Sequence, residues 1–554
     1  MSLRPAPNQR SLFEAGLLYG RLFGQPQGPA GRFEFFADQI LPSLYKLRAQ
    51  LATMYCADNG RPAEEPVFLL AVSILQFMER LPDRQAAEAC TYDLRWKVAL
   101  GREVDAPGFH PTSLVKFRQR LEKNGLQGLG LEAVLDAMRQ AGYLPRHSPQ
   151  RLDSTHVLGL LSRMSRLECV RETVRLTLER LEPEPNLARP EAWPVWWERY
   201  VESRPDWQAP AEQLRLKLVQ AGGDVQAILA WVKSLPEALR ALEVVERLRR
   251  VFTENFEAGS GGEIGVRRAQ PAGAVHNPHE PEAQWSTKAT TAQKEWVGYK
   301  VQVAETVEPT RRGAGEPTRS VITAVVTQPA IASDKAALPA VEASWAESGQ
   351  GLAEELYVDA GYTSGKELAR FAAQGRQLHG PVQAAPERDG RLSAEAFDVQ
   401  VEERRAVCPA GQASTQCSRL EEAKTGRVSF RFEWTGVCAS CPLRDQCVGQ
   451  DQPHRSLVVG EHHTLVQARR REQVTEAFHA AMHHRNAMEG TISELVRGYG
   501  LRRARYRGKA KVSLQNLFIG AAANCRRWWR RRTWEAQQAA AQGSGVGAAS
   551  PAMA

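Results

Sequence analysis

The chain has 554 residues, well beyond one ordinary domain, and 43% of them are hydrophobic while 24% are charged, as in globular proteins that bury a substantial core. The longest apolar run, residues 66–78, is too short to span a bilayer, and the N-terminus shows no secretory signal, so we expect neither a membrane-spanning nor a secreted protein. The net charge of +9 favours an anionic partner such as DNA, RNA or an anionic membrane surface. We therefore expect a cytosolic protein of several domains.

The first half of the chain is expected to be mainly helical. Residues 1–35 contain Pro, Gly and Gln and are predicted to be weakly structured, whereas residues 36–145 carry leucines at helical spacing. Within that region the apolar run 66–78 predicts a buried helix. A second helical block, residues 161–260, separates a short strand-like segment at 146–160 from the rest of the chain, so we interpret the block as an insertion.

One helix of the N-terminal region carries a cluster of cations. It is predicted to begin at an N-cap, which is either Thr112 or Ser113. Lys116, Arg118 and Arg120 then cover much of its polar surface. Such a cluster is either a solvated charged face or a helix that contacts DNA, and the sequence leaves both readings open.

The second half of the chain alternates strands and helices. Residues 297–303 and 321–327 are rich in β-branched residues, and residues 355–359 predict a further strand that ends at a glycine-containing turn. Residues 336–347 predict a helix between the last two strands. This order describes an α/β layer in which helices pack on a sheet.

Three more segments complete the organisation. Residues 396–460 contain a cysteine-rich stretch, residues 463–534 return to a helical pattern, and the small polar residues of 535–554 predict a disordered tail. The expected core of the protein therefore combines residues 146–160, 280–395 and 463–534, and the N-terminal helical region 36–145 is expected to form a DNA-binding domain.

Three carboxylates stand in contexts that suit metal chemistry. Asp153 and Asp359 both follow apolar, strand-like segments, and adjacent strands of one sheet would bring them together, while Glu489 approaches from a predicted helix. Mg²⁺ takes oxygen ligands, and two such ions about 3.5–4 Å apart activate the attacking oxygen and stabilise the leaving one in phosphoryl transfer. Each acid alone is equally compatible with a turn, a cap or a solvated side chain, so the hypothesis depends on all three.

The segments around these acids resemble a known family. Residues 152–155, 357–362 and 485–491 are, as a set, similar to the three catalytic segments of bacterial insertion-sequence DDE transposases. Residues 296–300 are similar to the strand that precedes the second aspartate in that family. The cysteine-rich stretch between the second aspartate and the glutamate resembles the insertion sequence family 1182 type.

This resemblance implies an α/β fold with an RNase H-like core, which is a mixed sheet flanked by helices, and a small zinc-ribbon-like insertion. Asp153, Asp359 and Glu489 would hold two Mg²⁺ or Mn²⁺ ions, and Arg485, one helical turn before Glu489, would bind a phosphate beside them. Water would cleave a phosphodiester at the transposon end, and the freed 3′-hydroxyl would attack target DNA. The implied partners are double-stranded DNA, as terminal inverted repeats and as target, and a second copy of the chain in a homodimer, in the bacterial cytosol at the nucleoid.

Two departures from the family pattern leave other functions open. Met482 and Val496 stand where many relatives carry Tyr and Lys. A catalytically inactive, transposase-derived DNA-binding protein is therefore one alternative. A metal-dependent nuclease that hydrolyses DNA without joining it is another.

The cysteine-rich stretch predicts a structural zinc site. Cys438 and Cys441 form a closely spaced thiolate pair, and Cys408 with Cys447 would complete a tetrahedral set, although Cys417 competes for the fourth position. Zinc would stabilise an insertion that is expected to lack a hydrophobic core of its own. Reduced thiols are the alternative, and a redox role is a third reading.

A cationic run follows the predicted catalytic glutamate. Between Glu494 and Glu535 the chain has twelve Lys or Arg residues and no Asp or Glu. We interpret this run as the bed for the DNA strand, although a solvated basic surface is the alternative, and we expect binding to weaken steeply with salt. The predicted DNA contacts outside the N-terminal helix are Lys300, Arg497, Arg502, Arg503, Arg505, Tyr506, Arg507, Lys509 and Lys511.

Overall fold

The computed structural model describes most of the chain. The described residues are 15–16, 31–56, 62–185, 187–204, 207–258, 263–288, 294–308, 313, 315–385, 390–423 and 425–544. Across these residues, no helix combines the length and the apolar character needed to cross a membrane.

The N-terminal region is helical, as its leucine spacing predicts. Its helices are α1 (Gly31–Phe35), α2 (Leu41–Tyr45), α3 (Arg48–Ala52), α4 (Pro66–Glu79), α5 (Asp83–Tyr92), α6 (Leu94–Ala99), α7 (Thr112–Lys123) and α8 (Leu129–Gln140), with a π-helical turn at Phe36–Ile40. Residues 66–78 of α4 are all buried, which confirms the prediction of a buried helix. The predicted N-cap of α7 is wrong, because Pro111 occupies that position and the Thr112 side chain contacts His110 Nδ1 at 2.8 Å instead.

A helical insertion follows the first strand, β1 (Gln150–Leu158). It contains α9 (Arg166–Leu181), α10 (Trp193–Trp197), α11 (Ala211–Val232), α12 (Glu237–Arg240) and α13 (Glu243–Asn255), a π-helical turn at Glu198–Glu202, and a short hairpin of β2 (Phe256–Ala258) and β3 (Ile264–Val266). Ser165 and Glu168 form a capping box that starts α9. The insertion has its own hydrophobic core, built from the facing sides of α9, α11 and α13.

A six-stranded mixed sheet lies at the centre of the structure. Its strands after β1 are β4 (Gln284–Lys288), β5 (Lys294–Thr306), β6 (Ile322–Pro329), β7 (Glu355–Tyr357) and β8 (Gln377–His379). The main order is β6-β5-β1-β7-β8, and β4 pairs with the first part of β5. Strand β5 is antiparallel to β1 and β6, whereas β7 and β8 run parallel to β1. The three strands expected from the sequence are therefore present.

Helices cover both faces of the sheet. On one face lie α14 (Leu338–Glu347), which follows a 3₁₀ turn at Asp334–Ala337, and α15 (Gly365–Ala373).

The chain then forms the cysteine-rich insertion from β9 (Asp398–Gln400), β10 (Arg405–Val407), β11 (Gln416–Glu421), β12 (Val428–Glu433), α16 (Arg444–Cys447) and β13 (Ser456–Gly460), after a 3₁₀ turn at Ala394–Ala396. The last helices are α17 (His463–Glu472), α18 (Glu476–Asn486), α19 (Met488–Tyr499) and α20 (Lys509–Ser544).

One hydrophobic core joins the N-terminal helices to the sheet. Helix α20 packs against α4, α8 and β6, and Phe518 of α20 stacks on Phe77 of α4 at 5.8 Å. Trp528, further along α20, packs against Phe35 and Tyr143. The region 36–145 therefore does not have a core of its own, because α20 lies between it and the sheet and contributes side chains to both.

Helix α20 also extends beyond the boundary expected at residue 534. Glu535 accepts hydrogen bonds from Arg531 and Tyr143, so residues 535–544 continue the helix and are not the start of a disordered tail. Residues 545–554 and most of the N-terminal segment predicted to be weakly structured lie outside the described residues.

The cysteine-rich insertion corrects another expectation. It contains a hydrophobic cluster in which Phe432 and Trp434 are fully buried, with Phe397 and Val399 packed beside them. The insertion therefore has a hydrophobic core of its own. A lack of apolar contacts is thus not a reason for its fold to depend on a metal ion.

Candidate active site

Asp153 lies within β1 and not at its end. The strand continues to Leu158 because its pairing with β5 continues, so the expectation that Asp153 follows a strand is wrong. Arg151 of β1 pairs in parallel with Tyr357 of β7. Extending this register by two residues sets Asp153 beside Asp359, which explains how two acids that are far apart in sequence meet.

Asp359 lies in a tight turn just after β7. Its Oδ1 accepts a hydrogen bond from the Gly361 N–H at 2.8 Å. A Cβ at Gly361 would lie only 3.0 Å from Asp359 Oδ1 and 3.1 Å from Asp334 Oδ2, so this close approach favours glycine. Tyr362 is buried behind the turn and donates a hydrogen bond to Gln302 of β5, which anchors the turn to the sheet.

Arg485 joins the three predicted carboxylates. It lies in the last turn of α18, and its Nη2 donates to Asp153 Oδ2 at 2.8 Å and lies 4.0 Å from Asp359 Oδ2. Its Nη1 lies 3.5 Å from Oε1 of Glu489, near the start of α19. The side chain of Asp153 is 14% exposed, whereas that of Glu489 is 75% exposed. The three acids thus converge from a strand, a turn and a helix on one guanidinium group.

The donor set fits a divalent metal, because all three side chains offer carboxylate oxygens. In the observed arrangement, however, the guanidinium group of Arg485 fills the space between them. Within the described ranges, no group of three or more His, Cys, Asp or Glu residues has the spacing of a metal site.

The carboxylates open into a groove of about 780 Å³. Three of the predicted DNA contacts line it, namely Lys300, Arg497 and Arg502. Lys300 Nζ donates to the Ala332 carbonyl at 2.8 Å and to Asp334 Oδ1 at 3.1 Å, and these two hydrogen bonds fix the position of its ammonium group at the wall of the groove.

Two features of the groove were not predicted from the sequence. Asp334 is a fourth carboxylate, and it follows β6 in a segment that looks like any turn, so no sequence signal distinguishes it. Trp296 belongs to the segment 296–300, whose sequence predicts a strand and no role for Trp296 in the groove. In the structure its ring lies 5.2 Å from that of His156, and its buried Nε1 has no hydrogen-bond partner in the described part of the chain.

Three residues that were predicted to contact DNA instead make contacts within the fold, so the prediction is wrong for them. Arg118 is buried and forms an ion pair with Asp83 of α5. Tyr506 packs against it, with the guanidinium carbon 4.8 Å from the ring centre. Arg505 donates to the Leu81 carbonyl at 2.9 Å, and burial lowers its pKa. These side chains join the N-terminal helices to the segment after α19.

The remaining predicted contacts lie at the surface. Lys116 of α7 is exposed, while Arg120 beside it is half-buried over the ring of Tyr55. Among the contacts predicted from Arg497 onwards, the exposed cations are Arg497, Arg503, Arg507, Lys509 and Lys511. These positions are compatible with binding DNA phosphates.

Two arginines of the cationic run are neutralised inside the protein. Arg527 is 4% exposed and contacts Glu305 at 2.8 Å and Glu494 at 2.7 Å. Arg531 is 2% exposed and contacts Glu316 at 2.6 Å and Glu535 at 2.7 Å. The run contains no acid in sequence, but acids from other segments fold onto it, so the predicted DNA bed is smaller than the sequence indicates.

The four cysteines predicted to bind zinc line one small cavity, which Cys417 does not line. Burial raises the pKa of Cys447, Arg455 lowers it, and the nearby thiols of Cys438, Cys408 and Cys441 raise it further. The four thiols converge, but no set of them has metal-site spacing in the parts of the chain that the structure describes.

Comparisons with known proteins give two family matches. Residues 407–529 match the family described as "Transposase DDE domain", and this match contains both Arg485 and Glu489. Residues 25–120 match the family described as "Transposase domain (DUF772)". No curated protein and no solved structure matches the chain. Both matches are to transposase families, and together they indicate an insertion-sequence transposase.

Proposed function

We propose that this transposase cleaves transposon-end phosphodiesters and joins the freed 3′-hydroxyl to target DNA, with Asp153, Asp359 and Glu489 as the ligands of two Mg²⁺ or Mn²⁺ ions. The observation that carries the proposal is the convergence of the three acids on the guanidinium group of Arg485. Acids clustered around a cation at the floor of an open groove form a site that attracts divalent ions and can reach a phosphate.

The sheet supports an RNase H-like core. In such a core the first strand lies between an antiparallel hairpin partner and two parallel strands. Here β1 lies between β5 and β7, β6 extends the antiparallel side, and β8 extends the parallel side. Asp153 on the central strand and Asp359 after its parallel neighbour are the positions at which this topology brings two acids together.

The side chains of the groove have separate tasks in the proposed reaction. Bound divalent ions would lower the charge on the phosphate and make water or a 3′-hydroxyl nucleophilic. Asp153, Asp359 and Glu489 hold the ions, and Arg485, once released from the acids, donates to a phosphate oxygen. Lys300 and Arg502 bind the flanking phosphates along the groove wall.

The proposal extends to partners and to the cysteines. Double-stranded DNA, as inverted repeats and as target, is bound by a homodimer in the bacterial cytosol, and the cysteine-rich segment supports assignment to the insertion sequence family 1182 type. Cys408, Cys438, Cys441 and Cys447 bind one structural zinc ion. Their convergence on one cavity supports this assignment.

A strand-transfer assay tests the function. Purified protein is mixed with Mg²⁺ and with DNA carrying the inverted repeats that flank the gene. We expect joined products, and we expect Asp153→Ala, Asp359→Ala and Glu489→Ala to abolish them. Glu476→Gln is the matched control, because Glu476 is an exposed acid at the far end of α18.

The two alternatives give different products in the same assay. DNA binding without cleavage by the intact protein would favour the inactive, transposase-derived DNA-binding protein. Nicked DNA without joining would favour a nuclease that only hydrolyses.

A further inference from the structure

We propose that Glu305 is a positioning residue, and that the buried cluster of charges around it sets the spacing of the catalytic carboxylates. This inference rests on the proposed function, because it assigns a task to the residues behind the proposed metal site. Glu305 does not line the groove and is not part of any motif noted in the sequence.

Glu305 is a fully buried carboxylate on β5 that accepts hydrogen bonds from three other elements. Its Oε1 accepts from Arg151 Nε of β1 at 2.6 Å. Its Oε2 accepts from Arg527 Nη1 of α20 at 2.8 Å. The hydroxyl of Thr491 on α19 lies 2.8 Å from both carboxylate oxygens.

The partners of Glu305 are close in sequence to the catalytic residues. Arg151 is two residues before Asp153, and Thr491 is two residues after Glu489. Arg151 Nη1 also donates to the carbonyl of His484, the residue before Arg485, at 3.0 Å. Glu305 therefore joins the strand of the first aspartate to the start of α19, and Arg151 extends this network to the end of α18.

The cluster is balanced in charge. Arg151 and Arg527 oppose Glu305 and Glu494, and Arg527 contacts both acids. Burial alone would raise the pKa of Glu305, but Arg527 and Arg151 hold it below its usual value, so the carboxylate stays ionised. Apolar side chains would fill the same space, but they would not fix the positions of the three elements relative to each other. Charged hydrogen bonds do so because they are directional.

Arg531 provides a matched control on the same helix. It lies one turn after Arg527 and is equally buried, and it too is held by two acids, Glu316 and Glu535. Its partners are in the loop before β6 and in α20 itself, and neither segment carries a proposed catalytic residue. Loss of Arg531 should therefore cost stability without disturbing the metal site.

The test measures Mn²⁺ binding to the full chain by calorimetry without DNA, together with thermal unfolding. Arg527→Gln and Glu305→Gln should weaken Mn²⁺ binding by about tenfold or more, which is the usual effect of removing residues that orient metal ligands. Arg531→Gln should lower the Tm comparably while Mn²⁺ affinity stays within about twofold of the wild type, because it does not touch the elements that carry the acids. Equal Mn²⁺ affinity in Arg527→Gln and Arg531→Gln would overturn the inference.

Two further variants keep the result interpretable. Thr491→Val removes one hydroxyl and no charge, so it should fold even if Arg527→Gln does not, and it should also weaken Mn²⁺ binding. Asp153→Ala reports on the site itself. If the wild type and Asp153→Ala bind Mn²⁺ alike, the proposed function fails, whereas a loss in Asp153→Ala with none in Thr491→Val and Arg527→Gln defeats only the role of Glu305.

Discussion

Arg485 is the residue on which the resting state of the site depends. Three carboxylates that face one groove repel each other unless a cation lies between them, and here the guanidinium group supplies that charge. If Asp153 is a metal ligand, as we propose, a divalent ion and Arg485 compete for its carboxylate. Binding of a phosphate by Arg485 would remove the competitor, so metal and DNA should bind cooperatively.

Replacement of Arg485 separates its two roles. Arg485→Gln should strengthen Mn²⁺ binding without DNA by about tenfold, because a charge-assisted hydrogen bond of about 1.5 kcal/mol no longer has to be broken. Strand transfer should fall by about 10²–10³-fold, since a donor to the reacting phosphate is lost. Arg497→Gln is the control, because Arg497 lines the groove without contacting the acids and should leave Mn²⁺ affinity unchanged. Weaker Mn²⁺ binding in Arg485→Gln would contradict the competition.

The cysteines allow a second test of single residues. Metal analysis of the purified chain should find about one zinc ion, since four thiolates complete a structural site. Cys438→Ser should lose the zinc, whereas Cys417→Ser should keep it, because Cys417 does not line the cavity. A chain without zinc would refute the site, and its folded insertion would then depend on the hydrophobic cluster around Trp434 alone.

At the scale of single elements, the sequence predicts apolar faces better than charged ones. The buried helix α4 was predicted because a continuous apolar run has no alternative position in a globular protein. The sequence could not decide which cations of α7 are exposed, because an arginine can be buried when an acidic partner lies elsewhere in the fold. For Arg118 that partner is Asp83, 35 residues away in another helix, and no local pattern reveals it.

Two neighbours on α7 test this division between structural and DNA-contacting cations. Arg118→Ala should lower the free energy of unfolding by about 2 kcal/mol, below the usual cost of breaking a buried ion pair because Asp83 is partly exposed. Lys116→Ala should change it by less than about 0.5 kcal/mol, because Lys116 is an exposed surface residue. DNA affinity measured on the folded proteins should fall for Lys116→Ala. If both variants lose equal stability, the assignment of Lys116 to the surface is wrong.

At the scale of the whole molecule, the sequence and the family resemblance predicted which three acids come together, but not which residues hold those acids in position. The predicted strands and helices are present, and the convergence of Asp153 with Asp359 follows from the parallel pairing of β1 with β7. The contact between Arg527 and Glu305 spans 222 residues, and α20 shares one core with the N-terminal helices and the sheet. Such pairings depend on the assembled fold, so the composition of the cationic run does not reveal that Arg527 is paired with acids inside the protein.

The buried ion pairs also set the response of the fold to acid. Burial opposes ionisation of Glu305 and Glu535, but their arginine partners hold the pKa of both below the usual range. A carboxylate with a lowered folded-state pKa stabilises the fold above its unfolded pKa, and this stability is lost as the pH falls through the folded value. Urea unfolding should therefore show a loss from these carboxylates below about pH 4.3, in addition to the loss below about pH 6.5 that comes from His276 and His463, because burial lowers the pKa of each to about 4. Arg531→Gln, which removes the ion pair between Arg531 and Glu535, should show a smaller acid loss, and an unchanged acid loss would contradict the assignment.

The distribution of cations over the whole surface predicts how DNA binding responds to salt. Each phosphate that a cation neutralises releases counterions, so the logarithm of affinity falls linearly with the logarithm of salt concentration, with a slope of about −0.9 per contact. Alanine at exposed Arg503, Lys509 or Lys511 should each reduce the slope by up to about 1, because one phosphate contact is lost. Arg531→Gln should leave the slope unchanged, since Arg531 is already neutralised by its own acids inside the fold. Fluorescence anisotropy with a labelled duplex at several salt concentrations measures these slopes, and a slope that falls equally for Arg531→Gln would show that the buried part of the cationic run does reach DNA.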